Sequence, residues 1–196
     1  MVKKVARDIE IVNIVVSASL GHDIPLEKMA ATLSNTEYNP EQFPGLVIRI
    51  KEPKTSALIF SSGKIVCTGA RTIEKVRESI KKIIKSLEKI NIKIKIKPEI
   101  KIVNIVASGS VGMALNLNEL ATQLQNVEYE PEQFPGLVYK LDQTKTNPKA
   151  TFLLFSNGKI VCTGTKSEDE VHSALDKLIE NLKKAKGAKE AKGAKT

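Results

Sequence analysis

At 196 residues the chain is long enough to bury one good core, or two small ones that share a sheet. With 41% hydrophobic and 27% charged residues it reads as globular, and no apolar run is long enough to span a bilayer. The formal net charge is +9, but Lys183–Thr196 holds six Lys and one Glu, a net of +5, so the body carries only +4. That is basic but modest, and K-A-K-G-A-K-E-A-K-G-A-K-T reads as a solvated, disordered tail. Met-Val-Lys-Lys at the start leads into charged residues and not into an apolar signal core, so an intracellular, cytoplasmic protein is expected.

In chain order, Ile9–Ser19 is apolar and β-branched, which predicts a strand. Pro25–Leu33 has Leu26, Met29, Ala30 and Leu33 at helical spacing and predicts a short helix. Strands follow at Gly45–Lys51, Thr55–Ser61 and Lys64–Gly69, the last two joined by a Ser61-Ser62-Gly63-Lys64 hairpin turn. Thr72–Ile90 carries one apolar stripe (Ile73, Val76, Ile80, Ile83, Ile84, Leu87) and predicts a long helix capped by Thr72. Ile90–Lys97 alternates Ile with Asn or Lys and reads as a strand that opens the second half.

The second half repeats the first. Ile9–Ile50 and Ile100–Leu141 match at 23 of 42 positions without gaps, and Ala57–Gly69 and Phe152–Gly164 match at 10 of 13. Four extra residues fall around Thr144–Pro148. The second long helix is expected at Ser167–Lys184, with Val171, Ala174, Leu175, Leu178 and Leu182 on its stripe and a capping box from Ser167 to Glu170. The expected organisation is a first repeat over 1–95, a second over 96–184 and a basic tail over 185–196. Strands joined by tight turns, with one amphipathic long helix per repeat, imply an α+β fold with an antiparallel sheet and helices on one face. Internal pseudo-two-fold symmetry favours a partner that is itself nearly two-fold symmetric.

Cys67 and Cys162 occupy the same place in the two repeats, inside K-I-V-C-T-G. Equivalent positions stand apart and the expected compartment is reducing, so buried free thiols are expected. With His22 and His172 unmatched between repeats, no metal site or cofactor is expected.

Alternate strand residues share a face. One face collects Asn13, Val15, Ser17, Leu58, Phe60, Lys64, Val66 and Thr68; the other is nearly pure Ile, Val and Cys. The pure set belongs under the helices. The mixed set has the makeup of a binding surface: apolar patches, a few hydrogen-bonding groups and a basic rim. On burial statistics alone, Phe60 and Phe155 would sit in a core, Asn13 and Asn104 would be satisfied buried amides, and the two F-P-G runs would end loops. Duplication argues against that for Asn13 and Asn104; for Phe60 and Phe155 the phase shared with Ser62 does so only when joined to a family resemblance. Ser-x-Gly is no nucleophile elbow here, because no repeated His or Asp accompanies it. The Glu37/Glu128 and Glu41/Glu132 pairs lie in loop contexts that do not suit acid–base catalysis.

E-Y-N-P-E-Q-F-P-G-L-V-I-R-I followed by A-L-I-F-S-S-G-K-I-V-C-T-G, and both again in the second repeat, resembles the core of the TATA-box-binding protein family, in its archaeal form. The resemblance runs from about Ile9 to Leu182. It implies a saddle-shaped, curved antiparallel sheet with helices on the convex face, and TATA-box double-stranded DNA held by its minor groove under the concave face. It implies wedging by Phe43 and Phe60 in repeat one and by Phe134 and Phe155 in repeat two. Asn13 and Asn104 would serve as the central amides, and Thr68 and Thr163 as flanking hydroxyls. Apolar contacts to the groove floor would come from Val15, Val66, Leu58, Val106, Val161 and Leu153. Phosphate contacts would come from Arg49, Ser62, Lys64 and Lys159, with Lys140 where the family has arginine and Asn157 where it commonly has serine. The partners implied are transcription factor B, met by the loop holding Glu130, Glu132 and Gln133, and an RNA polymerase pre-initiation complex. Asn39 stands where Glu130 stands in repeat two. Self-association of the free protein through its exposed apolar face is a further expectation, and no membrane role is expected. The rival readings are a TATA-binding-like fold used as a non-promoter interaction module or as part of a nucleic-acid enzyme, which would call for appended catalytic residues that the sequence does not show, and a small-molecule binder, which would call for a deep pocket where the phenylalanines cluster.

Overall fold

A computed structural model describes residues 8–141, 144 and 148–193, of which 186–193 by backbone alone. The Met-Val-Lys-Lys start lies outside the described residues, as does most of the four-residue insertion around Thr144–Pro148. The chain divides into two compact units, Val12–Asn104 and a second that joins the residues up to Ile11 to those from Ile105 onward.

The Val12–Asn104 unit holds α1 (Leu26–Thr32), β2 (Thr36–Glu37), β3 (Gly45–Ile50), β4 (Thr55–Phe60), β5 (Lys64–Ala70), α2 (Ile73–Glu88) and most of β1 (Asp8–Ser19). Its strands run β2-β3-β4-β5-β1, each antiparallel to the next. The other unit repeats the plan with β6 (Ile100–Ser110), α3 (Leu117–Gln123), β7 (Val127–Glu128), β8 (Leu137–Leu141), β9 (Ala150–Leu154), β10 (Lys159–Thr165) and α4 (Glu168–Gly193). Its strands run β6-β10-β9-β8-β7, again antiparallel. The expected α+β class and the order of elements within each repeat are therefore the observed ones.

Alternation divides every strand between two environments. In β4, Thr55, Ala57 and Ile59 are buried while Ser56, Leu58 and Phe60 are half-buried; in β5, Ile65 and Cys67 are buried while Val66 and Thr68 are half-buried. The buried set faces α2, whose Val76, Ile80, Ile83 and Leu87 are at most 3% exposed. Each such side chain contributes about 1.5–3 kcal/mol by leaving water. In α4 the same layer is built by Val171, Ala174, Leu175, Leu178 and Leu182. The caps form as read: the Thr72 side chain accepts from Lys75 N–H, and Ser167 Oγ accepts from Glu170 N–H at 3.1 Å. Glu170 reaches back one residue further than a standard capping box, to Lys166 N–H. The hairpin turns hold Gly63 at φ 78° and Gly158 at φ 82°, where a Cβ would stand about 2 Å from the carbonyl oxygens of His22 and Met113. Cys67 and Cys162 are buried free thiols; burial raises the first to a pKa of about 11 and the second to about 12.

Two expectations fail. Ile90–Lys97 is not a strand, and the second half opens only at Ile100 with β6. Ile90 and Ile92 are buried and Ile94 is half-buried, but Ile96 is 51% exposed, so the alternation reports the side-chain rhythm only at the start of the segment. The backbone, however, leaves α2 through Asn91 at φ 63°, with Ile92 N–H bonded to Leu87 C=O, and pairs with no ladder. The second failure is at the other end: α4 continues past Lys184 to Gly193, so the backbone is helical over most of the segment expected to be disordered. Ala and Lys are good helix formers, and extending a helix that is already nucleated adds one hydrogen bond per residue fixed.

The repeats also serve as controls for each other. Thr55 and Ser79 share a buried hydrogen bond of 2.8 Å where the other repeat has Ala150 and Ala174. Thr165 is fully buried and its Oγ1 has no partner, where the first repeat has Ala70. Removing a buried, unsatisfied hydroxyl recovers its desolvation penalty. Thr165→Ala is therefore expected to raise stability by about 1 kcal/mol, read as an upward shift of the urea midpoint with unchanged slope; a drop of similar size would refute the assignment.

Candidate nucleic-acid interface

The face of each unit turned away from its long helix carries the residues singled out in the sequence. In the Val12–Asn104 unit, Asn13, Val15, Leu58, Phe60, Val66 and Thr68 are half-buried on that face, while Arg49, Ser62 and Lys64 are exposed at its margin. In the other unit, Val106, Leu153, Phe155, Val161 and Thr163 are half-buried, and Lys140, Asn157 and Lys159 are exposed. Asn104 is half-buried at the end of the first unit. None of the four expected wedge rings lies under a helix. The fifth phenylalanine does: Phe152 is fully buried in the opposite phase of β9.

The rings come in pairs. Phe43 and Phe60 lie edge to face with centroids 6.0 Å apart and planes at 62°, and Phe134 and Phe155 repeat this at 6.0 Å and 68°. Edge-to-face contact sets the negative face of one ring against the positive edge of the other. Phe43 stays 43% exposed and Phe134 40%, so the pairs are held at the surface and not enclosed. The F-P-G runs explain how. A Cβ on Gly45 would come within 2.6 Å of the Phe43 ring and 3.2 Å of the Phe60 ring; on Gly136 the corresponding distances are 2.6 and 3.1 Å. Each glycine makes room for its ring pair, and F-P-G does more than end a loop.

Cross-strand neighbours extend the apolar surface. Val47 stands opposite Leu58 and Val138 opposite Leu153, all four half-buried. The sequence reading did not single out these valines, although both sit in the repeated P-G-L-V run in the phase opposite to buried Leu46 and Leu137. Nor did it single out Lys51 and Lys54, which join Asn13, Arg49, Ser56 and Thr68 around an open hollow of about 610 Å³. In the other unit a hollow of about 540 Å³ brings Phe155, Asn157, Lys159 and Val161 together with Ser108, Ser110, Asp8 and Glu10. The two carboxylates there are an unanticipated acidic edge.

Polar groups are already organised. Asn13 Nδ2 lies 3.0 Å from Thr68 Oγ1, a pairing of residues 55 positions apart. Arg49 is paired with Glu37 at 3.2 Å, and Lys140 with Glu128 in the same way. All four of these side chains are more than half exposed, so the pairs contribute about 0–1 kcal/mol and yield readily to a stronger anion. The loop holding Glu130, Glu132 and Gln133 is exposed and closed by Gln133 N–H and Phe134 N–H donating to Glu130 C=O; the Asn39 loop is closed alike. Among the described residues, no group of His, Cys, Asp and Glu is arranged to hold a metal ion, and no helix is long and apolar enough to cross a membrane.

Similarity to known proteins covers the same ground. A family model described as "Transcription factor TFIID (or TATA-binding protein, TBP)" matches residues 8–90 and 99–185. The TATA-box-binding protein of Methanothermobacter thermautotrophicus is 52% identical over 175 residues, 89% of this chain and 94% of that protein. That of Archaeoglobus fulgidus is 48% identical over 177 residues, again 89% and 94%. The solved structure of the Methanococcus jannaschii protein is 50% identical, covers 90% of this chain and 99% of its own, and superimposes with a TM-score of 0.83. With both repeats matched by the family model and half of the residues shared with relatives of nearly equal length, the chain belongs to the TATA-binding protein family.

Proposed function

We propose that the chain is a general transcription initiation factor that binds TATA-like promoter DNA by its minor groove, wedges its phenylalanine pairs between base steps and bends the duplex, without catalysis. The observation that carries this reading is the pair of edge-to-face phenylalanines in each unit, exposed on the face opposite the helix layer and set among Asn, Thr, Val and Leu. The minor-groove edge of A·T offers only acceptors and is nearly the same in either orientation. Asn13, Asn104, Thr68 and Thr163 supply donors to it. Val15, Val66, Leu58 and their counterparts Val106, Val161 and Leu153 leave no room for the guanine amino group. Unstacking costs a few kcal/mol per step and is offset by the surface gained on bending, a strategy for which this family is itself the standard example. Lys64, Lys159, Arg49 and Lys140 hold phosphates, assisted by Ser62 and Asn157; the lysine at 140 does so without an arginine's two-pronged fork.

In this reading the sequence repeats over 1–95 and 96–184 are the two functional halves of the protein. The loop of Glu130, Glu132 and Gln133 receives transcription factor B, and through it RNA polymerase. Asn39 in place of Glu130 gives the two loops different charge and supports this choice. The protein works in the cytoplasm at the nucleoid, and its apolar face allows self-association when no DNA is present.

A competition titration tests the proposal. An A·T-rich duplex carrying a TATA element should displace a labelled promoter fragment at least tenfold better than a G·C-rich duplex of equal length. If four cations meet phosphates, log K should fall with log salt at a slope of about 3 to 4. Equal competition by both duplexes would favour use of the fold as an interaction module.

A further inference from the structure

Asn13 carries a primary amide whose two ends are chemically opposite: Oδ1 accepts and Nδ2 donates. Which end is held by the protein decides what the other can read. Thr68 Oγ1 lies 3.0 Å from Nδ2 and 3.2 Å from Oδ1, and a hydroxyl suits either end, so Thr68 does not choose. The backbone N–H of Gly69 lies 2.8 Å from the same side chain. A backbone N–H only donates, so the atom it faces is the oxygen. The choice is made by Gly69.

That N–H is free for the task because β5 bulges. Val16 pairs with Cys67 and Ile14 with Ala70, so Thr68 and Gly69 together stand opposite the single Val15. Gly69 takes φ 99°, in the left-handed region, and a Cβ there would stand 3.0 Å from Lys54 C=O. β10 bulges at the matching place, with Gly164 at φ 96°.

The geometry points to Gly69 as a positioning residue that sets base preference: by pinning Asn13 Oδ1 it leaves this side chain only a donor to offer. The inference rests on the minor-groove reading and deepens it. G·C differs from A·T in the minor groove by a donor, the guanine amino group. An amide free to turn over would present Oδ1 to that amino group and accept from it. A pinned amide has nothing to offer guanine, while its remaining N–H hydrogen meets the acceptors of A·T. The bulge thus turns an ambivalent side chain into a one-sided reader.

The experiment uses the full chain and duplexes that differ only at the step where Asn13→Ala changes affinity, carrying A·T, inosine·C or G·C. Inosine·C lacks the amino group and so presents the A·T pattern. The unaltered chain should bind A·T and inosine·C about tenfold or more tighter than G·C at that step. Gly69→Ala should cut that ratio at least fivefold, leaving the salt slope and the preference at steps next to the phenylalanines unchanged; an unchanged ratio overturns the proposal. If Gly69→Ala does not fold, Asn13→Asp decides. It keeps an oxygen for Gly69 N–H and replaces the donor, so the A·T to G·C ratio should fall by more than tenfold, and an unaltered ratio overturns the proposal equally. In the free protein, a nuclear magnetic resonance coupling through the hydrogen bond between Gly69 ¹⁵N and Asn13 ¹³Cγ should be measurable. Its absence removes the pin whatever the DNA results. Failure to bind any duplex would instead remove the minor-groove reading, and the base-preference role with it.

Discussion

Phe134→Ala or Phe155→Ala should abolish bending of a TATA duplex while leaving the fold intact. Fluorescence energy transfer between dyes on the two ends of the duplex measures this. The unaltered chain should bring the ends together, and either variant should leave them at the separation of straight DNA. The reason lies in how the rings are held. Phe134 is 40% exposed and Phe155 half-buried, so truncation opens no sealed cavity. Each leans on the other at 6.0 Å, so losing one also frees its partner to turn away from the wedge position. A stacked aromatic contributes about 1–3 kcal/mol per base, so affinity should fall roughly ten- to a hundredfold. Phe43→Ala and Phe60→Ala repeat the test in the other unit, where the pair geometry is the same. Undiminished energy transfer in these variants would remove the wedge from the mechanism.

Phe152→Ala should do the reverse. Phe152 is fully exposed to the helix layer and fully hidden from water, one phase out of step with Phe155. Its loss should cost about 3–5 kcal/mol, the transfer term plus the cavity left behind, and lower the melting temperature by many degrees. The matching position in the first repeat is Ala57, also buried. The substitution therefore copies a residue that the same fold already tolerates, in surroundings that have grown around a larger one. The inverse change, Ala57→Phe, should cost about 1–3 kcal/mol by overpacking. A mild result for Phe152→Ala would mean that the layer under α4 collapses easily. Together the two sets of phenylalanine tests separate a ring that holds the fold from rings that act on a ligand, although Phe152 and Phe155 stand only three residues apart.

The expectations that failed share a cause. Ile90–Lys97 has the rhythm of a strand, and Ile90 and Ile92 do point into the core, but a strand also needs a neighbouring backbone to pair with. Nothing within eight residues of sequence records whether that neighbour exists. The lysine-rich end was read from composition as a charged, solvated segment, whereas its backbone continues a helix begun by a buried stripe many residues earlier. Val47 and Val138 went unremarked because a single valine has no signature of its own; their place is given by Leu58 and Leu153 across the strand pair.

The residues alone were enough to establish the duplication, the two faces of each strand, the helix stripes with their caps, and the grouping of Phe, Asn, Thr and Val on the face away from the helices. All of these follow from periods of two and 3.6 residues and from matching one half of the chain to the other, and both kinds of information are carried along the chain. Tertiary structure decided how those groups are held: rings paired over Gly45 and Gly136, Asn13 fixed by Gly69 in a bulge 56 positions away, and cations paired with Glu37 and Glu128. Such contacts depend on register and approach between distant segments, which side-chain periodicity does not encode.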